Sequence, residues 1–221
     1  MALDLDYTVN LLPILLKYLG ITMEMALIGF ALALVMALAL ALVRVFTVPV
    51  LDPLARLHIS FFRGTPLLVQ LFLLYYGLPQ VIPALAGIDA FTIAIIGLSL
   101  HFSAYMAESI RAAINGIASH QTEAAMAIGM TRLQAMRRII LPQASRIALP
   151  SLMNYFIDMI KSTSLAFTLG VTEIMAKAQM EASSSFRFFE SFMAVALIYW
   201  VVVVFFTFVQ TKLEQRLNAA Y

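Results

Sequence analysis

The stretch MALIGFALALVMALALALV, residues 25–43, decides the class of fold. It runs for 19 residues without a charge, between Glu24 and Arg44. An α-helix of about 20 apolar residues crosses the roughly 30 Å hydrocarbon core of a bilayer, and within lipid only helices and closed barrels satisfy all backbone hydrogen bonds. The sequence therefore predicts a membrane-spanning helix over this stretch.

Four further stretches predict crossings of the same kind, and only one of them, which holds Asp158 and Lys161, is interrupted by charges. In chain order they are residues 64–88, 90–107, 149–169 and 191–211. The chain of 221 residues is 62% hydrophobic and 12% charged, about half the charged fraction of an ordinary soluble domain. This composition excludes a soluble enzyme or a disordered chain. It predicts a single all-α integral membrane domain, residues 1–221, with five transmembrane helices.

The distribution of basic residues predicts how the chain is oriented. If the N-terminus lies outside, ten of the 14 basic residues fall in cytoplasmic segments, three fall outside and Lys161 lies within the membrane. We therefore expect the N-terminus out and the C-terminus in. Residues 45–63, with two prolines and the two basic residues Arg56 and Arg63, predict a segment along the membrane interface before the second crossing. The formal net charge of +2 is too small to indicate a nucleic-acid partner.

A stripe of small residues marks the first crossing, at Gly29, Ala33, Ala37 and Ala41. Such a stripe lets another helix approach closely. It also arises by chance in an alanine-rich helix, and the sequence leaves both interpretations open.

Residues 119–142, SHQTEAAMAIGMTRLQAMRRIILP, form a long loop on the predicted cytoplasmic side. Residues 122–126 favour a helix, and Glu123 lies near its start, where the helix dipole favours an acid. Gly129 suits the left-handed conformation that closes a helix. Thr131 and Gln134 have capping-box spacing, and Pro142 is expected to limit the second helix. The loop therefore predicts two short helices joined by a glycine hinge.

Two uses of this loop remain open on physical grounds. It is either an amphipathic connector whose Arg132, Arg137 and Arg138 touch anionic lipid, or a helix presented to a groove on a partner protein.

The loop also resembles the EAA signature of ABC importer permeases. The signature consists of EAA, three further residues, G, nine further residues and I-x-L-P. Every position of this signature matches. The matching residues are Glu123, Ala124, Ala125, Gly129, Ile139, Leu141 and Pro142. In that family the loop is the coupling element that docks into a cleft of the cytoplasmic ATPase, and the glycine permits the turn between its helices.

The resemblance extends over nearly the whole chain. The stretches RGTPLLVQLFLLYYGLP (63–79), SAYMAESIRAAI (103–114) and IKSTSLAFTLGVTEI (160–174) resemble the polar amino-acid branch of these permeases. The last stretch, with its continuation AKAQMEASSSF, is most similar to permeases for cystine and related sulfur amino acids. Permeases for basic amino acids or for glutamine and glutamate are the alternative.

The resemblance implies a type I ABC importer permease fold of five helices in a bacterial inner membrane. It implies three partners: a second permease subunit, identical or homologous, a dimer of cytoplasmic ATP-binding subunits, and an extracytoplasmic substrate-binding protein. ATP and Mg²⁺ are then expected on the partner ATPase, since this chain has no GxxxxGK[ST] loop for phosphates. The chain has no cysteine and only scattered histidines, so we expect no metal site and no catalytic residue. A membrane enzyme or scaffold without ATPase coupling is the rival from another class.

A zwitterionic substrate needs partners for its ammonium and carboxylate groups within a low-dielectric environment. The resemblance favours polar residues of the third and fourth crossings as that site: His101, Ser103, Lys161, Thr163 and Ser164. Residues with a possible pathway or pairing role are Thr65, Glu108 and Asp158. Asp158 and Lys161 share a helix face and could equally neutralise each other; Glu108 and Arg111 have the same spacing.

Overall fold

The structure is a computed structural model that describes residues 4–117 and 119–218. These residues form helices and connecting turns and contain no strand. The α-helices are α1 Leu5–Val45, α2 Leu51–Gly64, α3 Leu67–Phe72, α4 Leu78–Val81, α5 Ala90–Asn115, α6 Ser119–Ala127, α7 Arg132–Ala135, α8 Leu141–Ser162, α9 Ile174–Ser185 and α10 Phe188–Asn218. The π-helical turns Leu73–Gly77 and Met136–Ile140 and the 3₁₀ segments Pro83–Leu85 and Thr163–Leu169 connect several of them. The all-α prediction is confirmed.

Three of the described helices, α1, α5 and α10, are long and apolar enough to cross a membrane. A fourth span is possible if α2 and residues 67–81 count as one, but they are bent by 112°. The bend fits the prediction of an interfacial segment before the second crossing. Residues 149–169 fold as the second half of α8 and a 3₁₀ turn. Five crossings and the orientation of the termini remain predictions.

The small-residue stripe of α1 is a packing surface. Ala33, Ala37 and Ala41 are fully buried, and a Cβ atom on Gly29 would lie 3.2 Å from the sulfur of Met159 on α8. Ser99 of α5 donates a hydrogen bond of 3.2 Å to the Gly29 carbonyl. The stripe therefore lets α5 and α8 pack closely against α1, the first of the two interpretations that the sequence allows.

The outer faces of α1 and α10 remain apolar and exposed. Val35 is 71% exposed and Trp200 is 64% exposed. Contiguous exposed apolar surface on a folded chain marks contact with lipid or with another subunit. These two helices therefore form a periphery suited to the bilayer.

The loop over 119–142 has the predicted hinge and cap. Gly129 has φ of +87°; its N–H donates to the Met126 carbonyl and that of Met130 to the Ala125 carbonyl, both at 3.0 Å, the pattern of a Schellman helix end. The capping box of Thr131 and Gln134 is present. The two helices and the glycine hinge are confirmed as local structure.

The expectation that Pro142 limits the second helix is wrong. The chain runs from α7 through the π-helical turn directly into α8, with no break. In the wider turn the N–H of Leu141 bonds to the carbonyl of Met136, five residues back. A proline inside a helix lacks a backbone donor and its ring clashes with the carbonyl one turn earlier, and the wider π-helical turn before Pro142 gives the ring room. The second helix of the hairpin is therefore one piece with α8.

Candidate functional site

A strip of polar and aromatic side chains joins α5 to α8. On α5, His101 and Tyr105 are half-buried on one helix face, with ring centroids 5.1 Å apart. The Tyr105 ring lies 6.2 Å from that of Tyr155 on α8. Asp158 follows Tyr155 by one helical turn and is its neighbour on the helix surface. Of the predicted candidates, His101 on α5 and Asp158 on α8 thus lie along one strip.

The two charges within the fourth predicted crossing form an ion pair. Lys161 Nζ lies 2.7 Å from Asp158 Oδ1, and both side chains are 52% exposed. Exposing such an ion pair to the hydrocarbon of the bilayer costs much free energy. Charged side chains within a membrane therefore face a partner protein or a water-filled cavity. The exposed face of α8 is therefore a candidate pathway wall.

Gln70 is a site residue that sequence reasoning missed. Its side chain is 2% exposed and its Oε1 lies 2.9 Å from His101 Nδ1. Its amide nitrogen donates to the Phe62 carbonyl and to both the carbonyl and the hydroxyl of Thr65. A glutamine within an apolar run is the available signal, since a buried amide needs partners. Gln70 links Thr65, at the bend between α2 and α3, to His101.

Two of the predicted substrate contacts are buried hydroxyls. Ser103 is fully buried, donates to the Leu100 carbonyl and lies 3.0 Å from Nε2 of His58. Thr163 is also fully buried and donates to the Ile160 carbonyl. Ser164 is partly exposed beside Lys161 and donates to its carbonyl. In this conformation Ser164 and Lys161 are accessible and the two buried hydroxyls are not.

Glu108 and Arg111 form the second predicted pair. The guanidinium Nε of Arg111 lies 2.7 Å from Glu108 Oε2 and 3.1 Å from Oε1. Arg63, at the end of α2, lies over the Tyr105 ring at 5.5 Å. Glu108 thus neutralises Arg111, whereas Arg63 brings a positive charge over the Tyr105 ring of the strip.

The hairpin formed by α6, Gly129 and α7 presents its tip to solvent. Ile128 is 77% exposed and Leu133 is 69% exposed. Glu123 and Ala124 are exposed as well, whereas Ala125 is buried beneath the Gly129 turn. The tip thus offers apolar side chains next to an acid.

A cavity of about 600 Å³ separates this hairpin from the ends of α1 and α5. Glu123, Met126 and Arg132 line its hairpin side, and Phe46 and Ile114 line the opposite side. The hairpin is therefore not packed tightly against the bundle here.

The same hairpin is joined to α8 by a second route besides the continuous helix. Gln121 of α6 and Gln143 of α8 exchange side-chain hydrogen bonds of 3.3 and 2.7 Å. Gln143 also donates to the Ile139 carbonyl. The hairpin and α8 are thus held together by the continuous helix and by this pair of side-chain amides.

Glu173 forms a buried polar cluster that sequence reasoning also missed. It is fully buried and caps α9 by accepting from the Ala176 N–H at 2.8 Å. Its other oxygen accepts from Thr22 of α1 at 3.3 Å and from Tyr199 of α10 at 3.2 Å. One carboxyl therefore ties α9 to two long helices.

Burial raises the pKa of the Glu173 carboxyl above the ordinary 4.5, although hydrogen bonds from the backbone, Tyr199 and Thr22 lower it. A raised folded-state pKa contributes stability that is complete below the unfolded-state pKa and is lost as pH rises through the folded-state pKa. We therefore expect Glu173 to make the Tm of the purified protein fall as the pH rises above 4.5, the ordinary pKa of a glutamate. Glu173→Gln, which keeps a neutral side chain, should flatten that slope in thermal unfolding scans.

The matched control is Glu181→Gln on the same helix. Glu181 is paired with Lys177 at 2.7 Å and is only partly buried, so its replacement should leave the slope as in the wild type. An unchanged slope in Glu173→Gln would contradict the assignment of the pH dependence to this carboxyl.

Within the described ranges no three His, Cys, Asp or Glu side chains come together as metal ligands do. The polar groups of the strip are instead suited to a small ionic molecule, since they include a cation, an anion and hydroxyls.

Apolar helices, a polar strip between two of them and an exposed hairpin tied to one of them are the features of a membrane transport subunit. The chain belongs to the family of binding-protein-dependent transport system inner membrane components, whose family model matches residues 29–219. The predicted membership of the ABC importer permeases and the predicted inner-membrane location are thereby confirmed.

The names of individual relatives identify amino acids as the class of substrate that these permeases transport. The chain is similar to a probable amino-acid ABC transporter permease protein of Vibrio harveyi, PatM, with 71% identity over 100% of this chain and 99% of that protein. It is 38% identical to the L-cystine transport system permease protein TcyL of Bacillus subtilis (strain 168), over 98% of this chain and 92% of that protein. A crystal structure of an amino acid ABC transporter with histidines shares the fold with a TM-score of 0.90 and 35% identity, over 98% of this chain and 100% of that chain.

The chain is thus an amino-acid ABC transporter permease and not an enzyme, because in this family the ATPase is a separate subunit. Membership also implies an ATP-binding subunit and a substrate-binding protein as partners.

Proposed function

We propose that this permease takes up cystine or a related polar amino acid through a pathway lined by α5 and α8, and that the hairpin around Gly129 couples it to ATP hydrolysis. The observation that carries the coupling proposal is the exposed Schellman turn at Gly129 within the EAA pattern. Five crossings, with the N-terminus out and the C-terminus in, place the hairpin, residues 119–142, on the cytoplasmic side. The fourth crossing in this arrangement is the distal part of α8 with its 3₁₀ turn, and the fifth lies in α10.

The hairpin has the surface that docking to a partner groove requires. Ile128 and Leu133 expose apolar side chains at its tip, and helices that dock in grooves use such anchors. Glu123 and Arg132 line the cavity behind it, so the hairpin has space to shift toward α1 and α5. A nucleotide-driven movement of a cytoplasmic ATPase dimer would push on this tip.

The push reaches the pathway through α8. The hairpin continues into α8 without a break, and the Gln121 and Gln143 amides hold α6 to its start. Asp158 and Lys161 lie near the other end of the same helix. A tilt of α8 therefore moves this pair together with the hairpin, which supports alternating exposure of the site to the two sides.

The substrate site is proposed on the polar strip. Lys161 binds the substrate carboxylate and Asp158 the ammonium, since each is half-exposed and its present partner is the other. His101 and Ser164 provide polar contacts nearby. Ser103 and Thr163 become contacts only if α5 and the 3₁₀ turn rearrange, because their hydroxyls are buried here.

The second permease subunit and the membrane lipid complete the pathway. In a single chain the face of α8 with Asp158 and Lys161 is open, and a second copy or a homologous subunit would enclose it. ATP and Mg²⁺ bind the partner ATPase dimer, and the extracytoplasmic substrate-binding protein delivers the amino acid.

A neutral zwitterion such as cystine matches a site whose two charges cancel. The name of TcyL supports this choice, whereas the structure with histidines supports the alternative of a basic amino acid. A ligand with a net positive charge would need an acid left unpaired at the site. The Asp158 carboxylate is already paired with Lys161, which favours the zwitterion.

Competition in proteoliposomes tests the substrate class. The complex of permease, ATP-binding subunits and binding protein is loaded with labelled cystine, and unlabelled arginine, histidine, glutamine and glutamate are added in excess. We expect unlabelled cystine, added as the reference, to compete fully, and arginine and glutamate to compete at least about tenfold less well, because their charged side chains are left without a partner at a desolvated site. Stronger competition by arginine or histidine would overturn the cystine proposal and leave the amino-acid permease unaffected.

A further inference from the structure

The side-chain amide of Gln70 is held in one orientation by its surroundings. Its nitrogen lies 3.0 Å from the carbonyl oxygens of Phe62 and Thr65 and 2.8 Å from the Thr65 hydroxyl. The two carbonyls only accept, and the hydroxyl already donates its own hydrogen to the Phe61 carbonyl at 2.8 Å, so all three groups need a donor. The nitrogen of the amide therefore faces them, and its oxygen faces His101 on α5.

This orientation fixes the position of the hydrogen on the His101 ring. The Gln70 oxygen can only accept, and it lies 2.9 Å from His101 Nδ1, so Nδ1 carries a hydrogen and donates it. Within the described residues no acidic side chain contacts this half-buried ring, and a buried charge without a partner is costly. A neutral imidazole has a single N–H. The ring is therefore neutral, with its hydrogen on Nδ1 and a lone pair on Nε2.

The lone pair on His101 Nε2 is an unused acceptor on the polar strip. This nitrogen has no hydrogen-bond partner among the described residues, although it is not a buried atom. The two nitrogens of an imidazole point in nearly opposite directions, so Nε2 is turned away from α3. The neighbouring ring on the strip is that of Tyr105, whose hydroxyl donates to the Arg63 carbonyl at 3.4 Å. The position is thus suited to a ligand that brings an N–H group.

This acceptor lies apart from the proposed site at Asp158 and Lys161. The rings of Tyr105 and Tyr155, which are 6.2 Å apart, stand between the two along the strip. Cystine has two amino-acid ends joined through a disulfide, so the ammonium of one end can reach His101 while the other end is held by the charge pair. A side chain that ends in a carboxylate has only acceptors and would meet the Nε2 lone pair without a hydrogen.

We propose that His101 selects the substrate by accepting a hydrogen bond at Nε2 from an N–H group at the far end of the substrate, which in cystine is the second ammonium. Gln70 is the positioning residue, because it holds the hydrogen of the ring on Nδ1 and leaves Nε2 free to accept. The choice of ligand rests on the proposed uptake of an amino acid along the strip, whereas the tautomer does not.

Nitrogen-15 NMR measures the tautomer without any substrate. The complex is assembled from permease with labelled histidine and from unlabelled partner subunits. The chain has three histidines, and the signals lost in His101→Asn are those of His101. We expect a protonated Nδ1 and an unprotonated Nε2. In Gln70→Met, which removes the acceptor, the hydrogen should be shared between the two nitrogens, and a hydrogen on Nε2 in the wild type would overturn the proposal.

Uptake into proteoliposomes tests the ligand. The amide nitrogen of asparagine can replace Nδ1 in donating to Gln70, but asparagine has no atom at the position of Nε2. His101→Asn should therefore raise KM for cystine about tenfold, the effect of losing one hydrogen bond to a charged group, and leave the maximal rate and the Tm unchanged. KM for S-methylcysteine, which has only one amino-acid end, should stay the same. An unchanged KM for cystine, or an equal rise for both substrates, would contradict the assignment.

A double variant tests whether Gln70 acts through His101. Gln70→Met alone should raise KM for cystine, because the hydrogen then occupies Nε2 for part of the time. Combined with His101→Asn it should be no worse than His101→Asn alone, since the acceptor is already absent. Additive losses would refute the positioning role of Gln70.

The outcome with wild-type permease separates this inference from the proposed function. If the wild type takes up a different amino acid in place of cystine, the cystine proposal fails, and His101→Asn is compared with the wild type on that amino acid. A raised KM for arginine or glutamine, whose side chains end in N–H groups, would still support the role of His101. Preferred uptake of glutamate would overturn it, because a carboxylate cannot donate to Nε2.

Discussion

Replacing Gly129 with valine is expected to abolish most ATP-coupled uptake while the permease remains folded and in the membrane. Gly129 has φ of +87°, and a β-branched residue held in such a conformation costs about 1 to 3 kcal/mol. No atom lies within 4 Å of a Cβ placed there, so the cost is backbone strain and not a clash. If the hairpin transmits the movement of the ATP-binding subunits, the rates of uptake and of permease-stimulated ATP hydrolysis should both fall by roughly tenfold or more.

The control for this experiment is Gly129→Asn. Asparagine tolerates positive φ far better than valine, so the asparagine variant should retain most of the activity although it also adds a side chain to the exposed tip. Uptake is measured in proteoliposomes, and binding of the ATP-binding subunits by co-purification. Normal transport by Gly129→Val would contradict the proposed coupling role. Equal losses of activity in both variants would show that the added side chain, and not backbone strain, causes the effect.

Replacing Lys161 with alanine is expected to have a similarly large effect, on substrate affinity. In the proposed pathway the second permease subunit encloses the site, and removing one member of a desolvated charge pair there costs about 2 to 5 kcal/mol, which corresponds to a loss on the order of 100-fold in uptake at low substrate concentration. The loss should appear mainly in KM, because the hairpin and α8 stay intact. Initial uptake rates over a range of cystine concentrations measure it.

A double variant separates substrate binding from simple pairing. If Asp158 and Lys161 only neutralise each other, Asp158→Asn combined with Lys161→Met restores uptake, since no charge is then left unpaired. If Lys161 binds the substrate carboxylate, the double variant stays as impaired as Lys161→Ala. Restored uptake would therefore refute the proposed site, and the single variant alone could not do so.

The coupling hairpin shows why local features were predictable from the sequence. The Gly129 hinge and the capping box at Thr131 depend on backbone conformation and on hydrogen bonds within a few residues. Pro142 is the exception, because its effect depended on the π-helical turn before it, which no local pattern indicated. A proline that ends a helix and one that continues it after a wide turn look alike in a sequence.

The candidate site shows what the sequence did not supply. Gln70 and Glu173 are separated from their partners by 31 and 151 residues, so only the folded bundle brings each of them to His101 or to Thr22. The Asp158 and Lys161 pair, three residues apart on one helix, was predictable. Its position on a strip with Tyr105 and Tyr155 was not.

The sequence alone determined a helical membrane protein, the hairpin with its EAA pattern and the pairing of near neighbours. These properties follow from composition, from helical periodicity and from short-range backbone chemistry. The tertiary structure decided which polar groups share a strip, which hydroxyls are buried, and that the hairpin is one piece with α8. Such contacts depend on how long helices cross and tilt, and many different side-chain patterns are compatible with any one crossing.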